Sequence, residues 1–244
     1  MALIMTLVVG LFILLGGLII IFTKNNKKVV DFAISLGFGV LASLVIFELI
    51  PESIELLETK FSVLVTIILM LVLIFLGIGI LKLLDHFVPD HDTHDKDNLM
   101  HVGVMTSIAL FIHNFLEGMT VYTAFNSSFN LGIMLALGVA LHNIPLGMSI
   151  TSFFYKKKSK GRAITMALIV SLATFFGGLV ALIFSGTFLS DVSLGIILAI
   201  TLGMIIYIVI FELLPHIMNN KDKKMTIIGV LLGIIVLMIS IFLE

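Results

Sequence analysis

Eight apolar runs follow one another along this chain, each close to the roughly 20 residues a helix needs to cross about 30 Å of hydrocarbon. They cover Leu3 to Phe22, Val29 to Ile50, Phe61 to Leu84, Val102 to Thr123, Leu131 to Phe154, Ala163 to Phe184, Val192 to Leu214 and Met225 to Leu243. Within each run the side chains are apolar on all sides, which excludes the polar and apolar alternation of a membrane β-barrel. A soluble domain is excluded as well: 60% of residues are hydrophobic, 12% are charged and the mean hydropathy is +1.25, against about half and a quarter in soluble domains. The expected fold is all-α and integral to the membrane, one unit over residues 1–244. Residues 1–84 carry helices one to three, 85–101 a cytoplasmic His/Asp loop, 102–154 helices four and five, and 163–244 the last three. The first run lacks a basic leader and a small-residue cleavage site, so it is expected to stay as a span.

The basic residues set the orientation, because cytoplasmic loops retain lysine and arginine. The loops after the first, third, fifth and seventh runs hold Lys24, Lys27 and Lys28, then Lys96, then Lys156, Lys157, Lys158, Lys160 and Arg162, then Lys221, Lys223 and Lys224. The opposite side holds Lys60. Those four loops are therefore expected in the cytoplasm and both termini outside, with Lys82 reaching toward the cytoplasmic face. A multi-pass protein of a plasma membrane of bacterial type fits the compact loops. A net charge of −1 leaves no electrostatic footprint for nucleic acid, and the absence of cysteine excludes thiolate metal sites and cysteine nucleophiles.

Two pairs of segments repeat within the spans. Phe47-Glu48-Leu49-Ile50-Pro51-Glu52 closes the second run and Phe211-Glu212-Leu213-Leu214-Pro215-His216 closes the seventh. His113-Asn114-Phe115-Leu116-Glu117-Gly118 lies inside the fourth and His142-Asn143-Ile144-Pro145-Leu146-Gly147 inside the fifth. The second and seventh runs cross in opposite senses, so the first pair sits at opposite faces. That is the mark of an inverted repeat, which many transporters share. The simplest plan relates helices one to three to helices six to eight, around a central fourth and fifth.

Ionisable groups in mid-span cost several kcal/mol on insertion scales and so mark function. His113 and His142 each fall about eleven residues into their runs, near the bilayer midplane at about 1.5 Å per residue. Glu117 lies one helical turn beyond His113 on the same face, with Asn114 alongside. Imidazole and carboxylate together suit Zn²⁺, Fe²⁺ and other first-row divalent ions. Pro145 removes a backbone N–H and frees the carbonyl of Leu141. A hydrogen-bonded network joining two helices is the competing structural reading of these residues.

This ordered set resembles the ZIP family of divalent metal transporters. The likeness rests on the His-Asn-x-x-Glu-Gly and His-Asn-x-Pro-x-Gly segments, the Glu-x-x-Pro ends of the second and seventh runs, the external termini and the His-rich loop after the third run. It implies transport of a divalent cation toward the cytoplasm by alternating access, zinc first, with iron or manganese as alternatives. It also implies ligands His113, Asn114 and Glu117 from helix four and His142 and Asn143 from helix five. One position departs: Leu146 stands where the family pattern has a glutamate, and the stretch Ser171 to Phe176 offers no carboxylate in the sixth run. A single-metal site on His113, Glu117 and His142 is expected, completed by Asn143, water and Asn114. One carboxylate leaves part of the ion's charge uncompensated, which favours release.

Glu48 and Glu52 are expected to form the pathway entrance and Glu212 and His216 the exit, while Glu55 and Glu58 read as solvated loop residues. His86, His91, His94 and His101 stand in or beside an Asp-rich cytoplasmic segment, which suits either metal buffering or a plain linker. The metal ion and the lipid bilayer are the expected partners, no organic cofactor is called for, and small residues such as Gly177 and Gly178 allow tight packing within the chain or in a homodimer. Three other functions fit parts of the pattern: a bis-His haem oxidoreductase, a membrane metalloprotease without its His-Glu-x-x-His, and a metal receptor that does not transport.

Overall fold

The computed structural model describes residues 1–23, 26–87, 99–156, 160–184 and 190–243. His91 and His94, and the basic residues Lys24, Lys96, Lys157 and Lys158, lie outside them. Eight helices are long and apolar enough to span a membrane: α1 (Ala2–Phe22), α2 (Lys27–Glu58), α3 (Val63–Phe87), α4 (Leu99–Ser127), α5 (Phe129–Tyr155), α6 (Lys160–Ile183), α7 (Asp191–Asn219) and α8 (Lys223–Leu243). Among the described residues there is no strand. The protein is an all-α membrane protein, as its apolar runs require.

The helices outrun the apolar segments that predict them. Hydropathy marks the part of a helix that meets lipid, whereas the backbone ladder continues wherever no residue stops it. Helix α2 passes Ile50 and reaches Glu58, α3 carries Asp85 and His86 into its last turn, and α4 begins at Leu99, two residues before His101. Asp85, His86 and His101 are therefore on helix ends rather than in a loop.

Prolines at Pro51 and Pro215 ought to break α2 and α7, since a proline ring presses on the carbonyl four residues back. Here each follows a widened π-helical turn, Val45–Leu49 in α2 and Ile208–Leu213 in α7. The carbonyls at risk, on Phe47 and Phe211, lie inside those turns. Both helices absorb their proline by local underwinding, a feature frequent at functional sites. Each π turn also carries a repeat glutamate, Glu48 or Glu212.

Helix α1 packs chiefly on α5 and α6, α4 on α6 and α5, α2 on α8 and α5, and α3 on α7. Helices α3 and α8 are the least enclosed, with Phe75, Leu71, Ile235 and Ile239 turned outward, and form the lipid-facing flanks. Close approach at the centre depends on glycine. A Cβ on Gly118 would stand 1.9 Å from the Thr174 carbonyl oxygen and one on Gly177 1.8 Å from that of Phe115, so α4 and α6 touch backbone to backbone. Gly147 meets the Ile13 carbonyl of α1 in the same way, at 1.9 Å. Gly178 faces Thr6 of α1, so the small residues of α6 serve packing inside the chain.

Candidate metal centre

Helices α4 and α5 run against each other, and the contact brings His113, Glu117 and His142 into one group whose ligand atoms all lie within 4.8 Å. Helical spacing puts the Glu117 carboxylate back over His113: the Nε2 of His113 stands 3.0 Å from Glu117 Oε1. From the neighbouring helix, His142 Nε2 approaches the same oxygen at 2.7 Å. All three residues are buried. Two imidazoles converging on one carboxylate oxygen make a poor apolar core and a good cation site. Zinc held by ligands at about 2.0–2.2 Å places them roughly 3.4 Å apart, so a small outward movement of each donor admits the ion.

Asn114 and Asn143, the residues that follow His113 and His142 in the chain, are buried. The Asn114 side chain donates from Nδ2 to the Leu110 carbonyl of its own helix at 2.7 Å, and Asn143 donates from Nδ2 to the Val9 carbonyl of α1 at 3.4 Å. The Oδ1 atoms of both, and Oε2 of Glu117, have no hydrogen-bond partner among the described residues. Buried acceptors of this kind are costly unless something else satisfies them. Such unpartnered oxygens are hard donors of the kind a hydrated divalent ion takes.

Leu146 is fully buried, and Ser171 of α6 spends its hydroxyl on the Gly10 carbonyl of α1 at 2.8 Å. The places that would supply further carboxylates are thus filled by packing and by a helix-to-helix bond.

A cavity of about 270 Å³ reaches this group: Glu48, Glu52 and Glu55 line it together with His113 and Glu117. Glu55, expected in a solvated loop, is on α2 and faces this cavity because the helix continues past Pro51. A second cavity, of about 390 Å³, meets the first at Glu52 and Thr120 and extends to Asp191 at the start of α7. Asp191 is an acid that the apolar pattern did not single out.

At the other end of the molecule a second group of three ligand atoms forms, from Asp85, His101 and Glu212. Asp85 pairs with His101 of α4 and accepts a hydrogen bond from the Tyr207 hydroxyl of α7 at 3.1 Å. The group joins the ends of α3, α4 and α7. His216, one helical turn beyond Glu212, lines a further cavity with Asp31, Lys27 and Lys28. His86 packs edge-on against Phe87. Asp85 stands in the sequence as the first residue after the third apolar run, opening the His/Asp segment; Tyr207 carried no such signal.

Comparison with known proteins bears on the whole chain. The family model described as ZIP zinc transporter matches residues 89–241. A zinc transporter ZupT of Chlorobium luteolum is 35% identical over 260 residues, covering 99% of this chain and 97% of that protein. One of Chlorobium phaeovibrioides is 33% identical over 258 residues, covering 99% and 97%. One of Lysinibacillus sphaericus is 32% identical over 257 residues, covering 98% and 96%.

Proposed function

This chain belongs to the ZIP zinc transporter family, and from that premise we propose that it carries zinc across the membrane toward the cytoplasm through one mid-membrane site built on His113, Glu117 and His142. The observation that carries the reading is the convergence of three buried donors from two helices, two of which, His113 and Glu117, line an acid-lined cavity. Glu48 and Glu52, with Glu55, gather the cation at the outer mouth. The site takes it from water, trading part of the hydration shell for two imidazoles and a carboxylate, with Asn114 and Asn143 as additional oxygen donors. A single acid leaves positive charge on the ion, so binding is weak and release fast. Delivery follows through Glu212, with Asp85 and His101 beside it and His216 in the neighbouring cavity.

Inverted symmetry supports alternating access. The principal helix pairings map onto one another when α1, α2 and α3 are exchanged with α6, α7 and α8 and α4 with α5. Each repeat also holds its glutamate in a π turn ahead of a proline. Two such halves offer two conformations of similar energy, one open to each side. With the basic loops in the cytoplasm, the acid-lined cavity opens outward. Iron and manganese are further candidate substrates, since the donor set accepts several first-row ions.

A haem between His113 and His142 is disfavoured by Glu117, whose carboxylate stands where the macrocycle would lie. Carrier and receptor separate in one assay. Proteoliposomes holding the native chain accumulate radioactive zinc, whereas those with His113→Ala or Glu117→Ala do not. Zinc binding by the native chain without accumulation would assign it as a receptor.

A further inference from the structure

We propose that Ser240 is a positioning residue for the transport site, holding the His142 ring so that Nδ1 carries the hydrogen and Nε2 is turned to the cation. The inference rests on the reading of His113, Glu117 and His142 as the zinc site.

Ser240 sits near the end of α8, one of the flanking helices, and is the lone hydroxyl in the apolar stretch Met238 to Phe242. It is fully buried. Its Oγ lies 3.1 Å from His142 Nδ1 and donates to the Gly138 carbonyl at 2.7 Å. Gly138 precedes His142 by one turn of α5, so the hydroxyl is anchored beside the ring it faces. A hydroxyl has one hydrogen. With that hydrogen given to Gly138, Ser240 presents only lone pairs to Nδ1, and the ring nitrogen must be the donor. The opposite nitrogen, Nε2, is then the one aimed at Glu117, 2.7 Å away, in the space the ion takes. Metal-ligating histidines are commonly fixed by a hydrogen bond from their other ring nitrogen, and that bond selects the tautomer and the ring plane.

Ser240 differs from the buried serines that satisfy themselves within one helix, and from Ser171, whose bond across helices ends on the Gly10 backbone carbonyl. The hydroxyls of Ser35, Ser43, Ser107 and Ser152 each return to a carbonyl four residues back on their own helix. That arrangement is the usual way for a helix serine to satisfy itself without a role beyond it. Ser240 reaches across to α5 instead, and the group it meets there is a proposed ligand.

The test is zinc uptake in proteoliposomes together with ¹⁵N-histidine NMR, applied to native protein, Ser240→Ala, Ser240→Cys and Ser240→Thr. Alanine and cysteine variants are expected to raise the KM for zinc by about 10–100-fold, the usual effect of losing such a support. Threonine, which keeps the hydroxyl, is expected to restore most of it. With zinc bound, so that the ion rather than a hydrogen occupies Nε2, the His142 signal is expected in the Nδ1–H form in native and Thr proteins and as a mixture of Nε2- and Nδ1-bound forms in the Ala variant. The Cys variant, nearly the size of serine, keeps the test open should alanine fail to fold. A KM within twofold of native and an unchanged His142 signal in both variants overturns the positioning role. His142→Ala run alongside separates the outcomes: if it too transports normally, the site reading itself is wrong.

Discussion

Replacing Gly118 with alanine tests whether the contact between α4 and α6 fixes the site. The added Cβ would lie 1.9 Å from the Thr174 carbonyl oxygen, and such contacts are not sustained below 3.0 Å, so the helices must part by about 1.1 Å. The obstacle is backbone on a neighbouring helix, so no rotamer change relieves it. Overpacking of this kind costs about 1–3 kcal/mol, and at about 2–4 °C per kcal/mol in a chain of this length Tm should fall by several degrees. Gly118 follows Glu117 directly, so the same displacement moves the carboxylate relative to His142. A misplacement of about 1 Å in a reacting group is worth up to roughly a hundredfold, and zinc uptake should fall by tens of fold. Gly79→Ala is the control, because a Cβ there meets nothing within 4 Å. Thermal unfolding in detergent and uptake in proteoliposomes read both effects. Equal Tm and equal uptake for Gly118→Ala and Gly79→Ala would refute the reasoning.

Leu146→Glu puts a carboxylate back beside the site; zinc affinity should rise at least tenfold by equilibrium binding while maximal uptake falls, because a better-compensated ion leaves more slowly. Glu48→Gln with Glu52→Gln should raise the KM severalfold with little change in maximal rate, and the difference should shrink in high salt, as expected for capture of a cation by a charged mouth. Asp85→Asn loosens the tie among α3, α4 and α7, whose hydrogen bonds to a charged group are worth about 1.5–3 kcal/mol. Ser149 is buried on α5, two turns beyond His142 toward the end that leads into the basic loop; in this cysteine-free chain, a Ser149→Cys probe should then react with a cytoplasmic thiol reagent about tenfold faster.

Span number and helical class were legible because lipid imposes them residue by residue: each apolar run had to be a helix. Span ends were not, since hydropathy says nothing about a polar helix emerging into water, and α2 gained Glu55 for the cavity by that extension. The core of the site was legible because His113 and Glu117 share a face and His142 falls at matching depth in its partner. Their companions were less so. Ser240 and Tyr207 act through contacts across helices, made by residues 98 and 122 positions apart from His142 and Asp85, and local spacing carries no trace of such pairs. The π turns were hidden for another reason. A proline in a predicted helix announces a break, and only the packed structure shows the backbone widening around Pro51 and Pro215 instead.

The central claim concerns where one zinc ion sits. A diffraction data set from zinc-loaded crystals, collected across the zinc absorption edge, locates it directly. A single anomalous peak about 2.0–2.2 Å from Nε2 of His113, Nε2 of His142 and a carboxylate oxygen of Glu117 is the expected result. A peak absent from that position, or a second mid-membrane peak of equal height served by other ligands, contradicts the account.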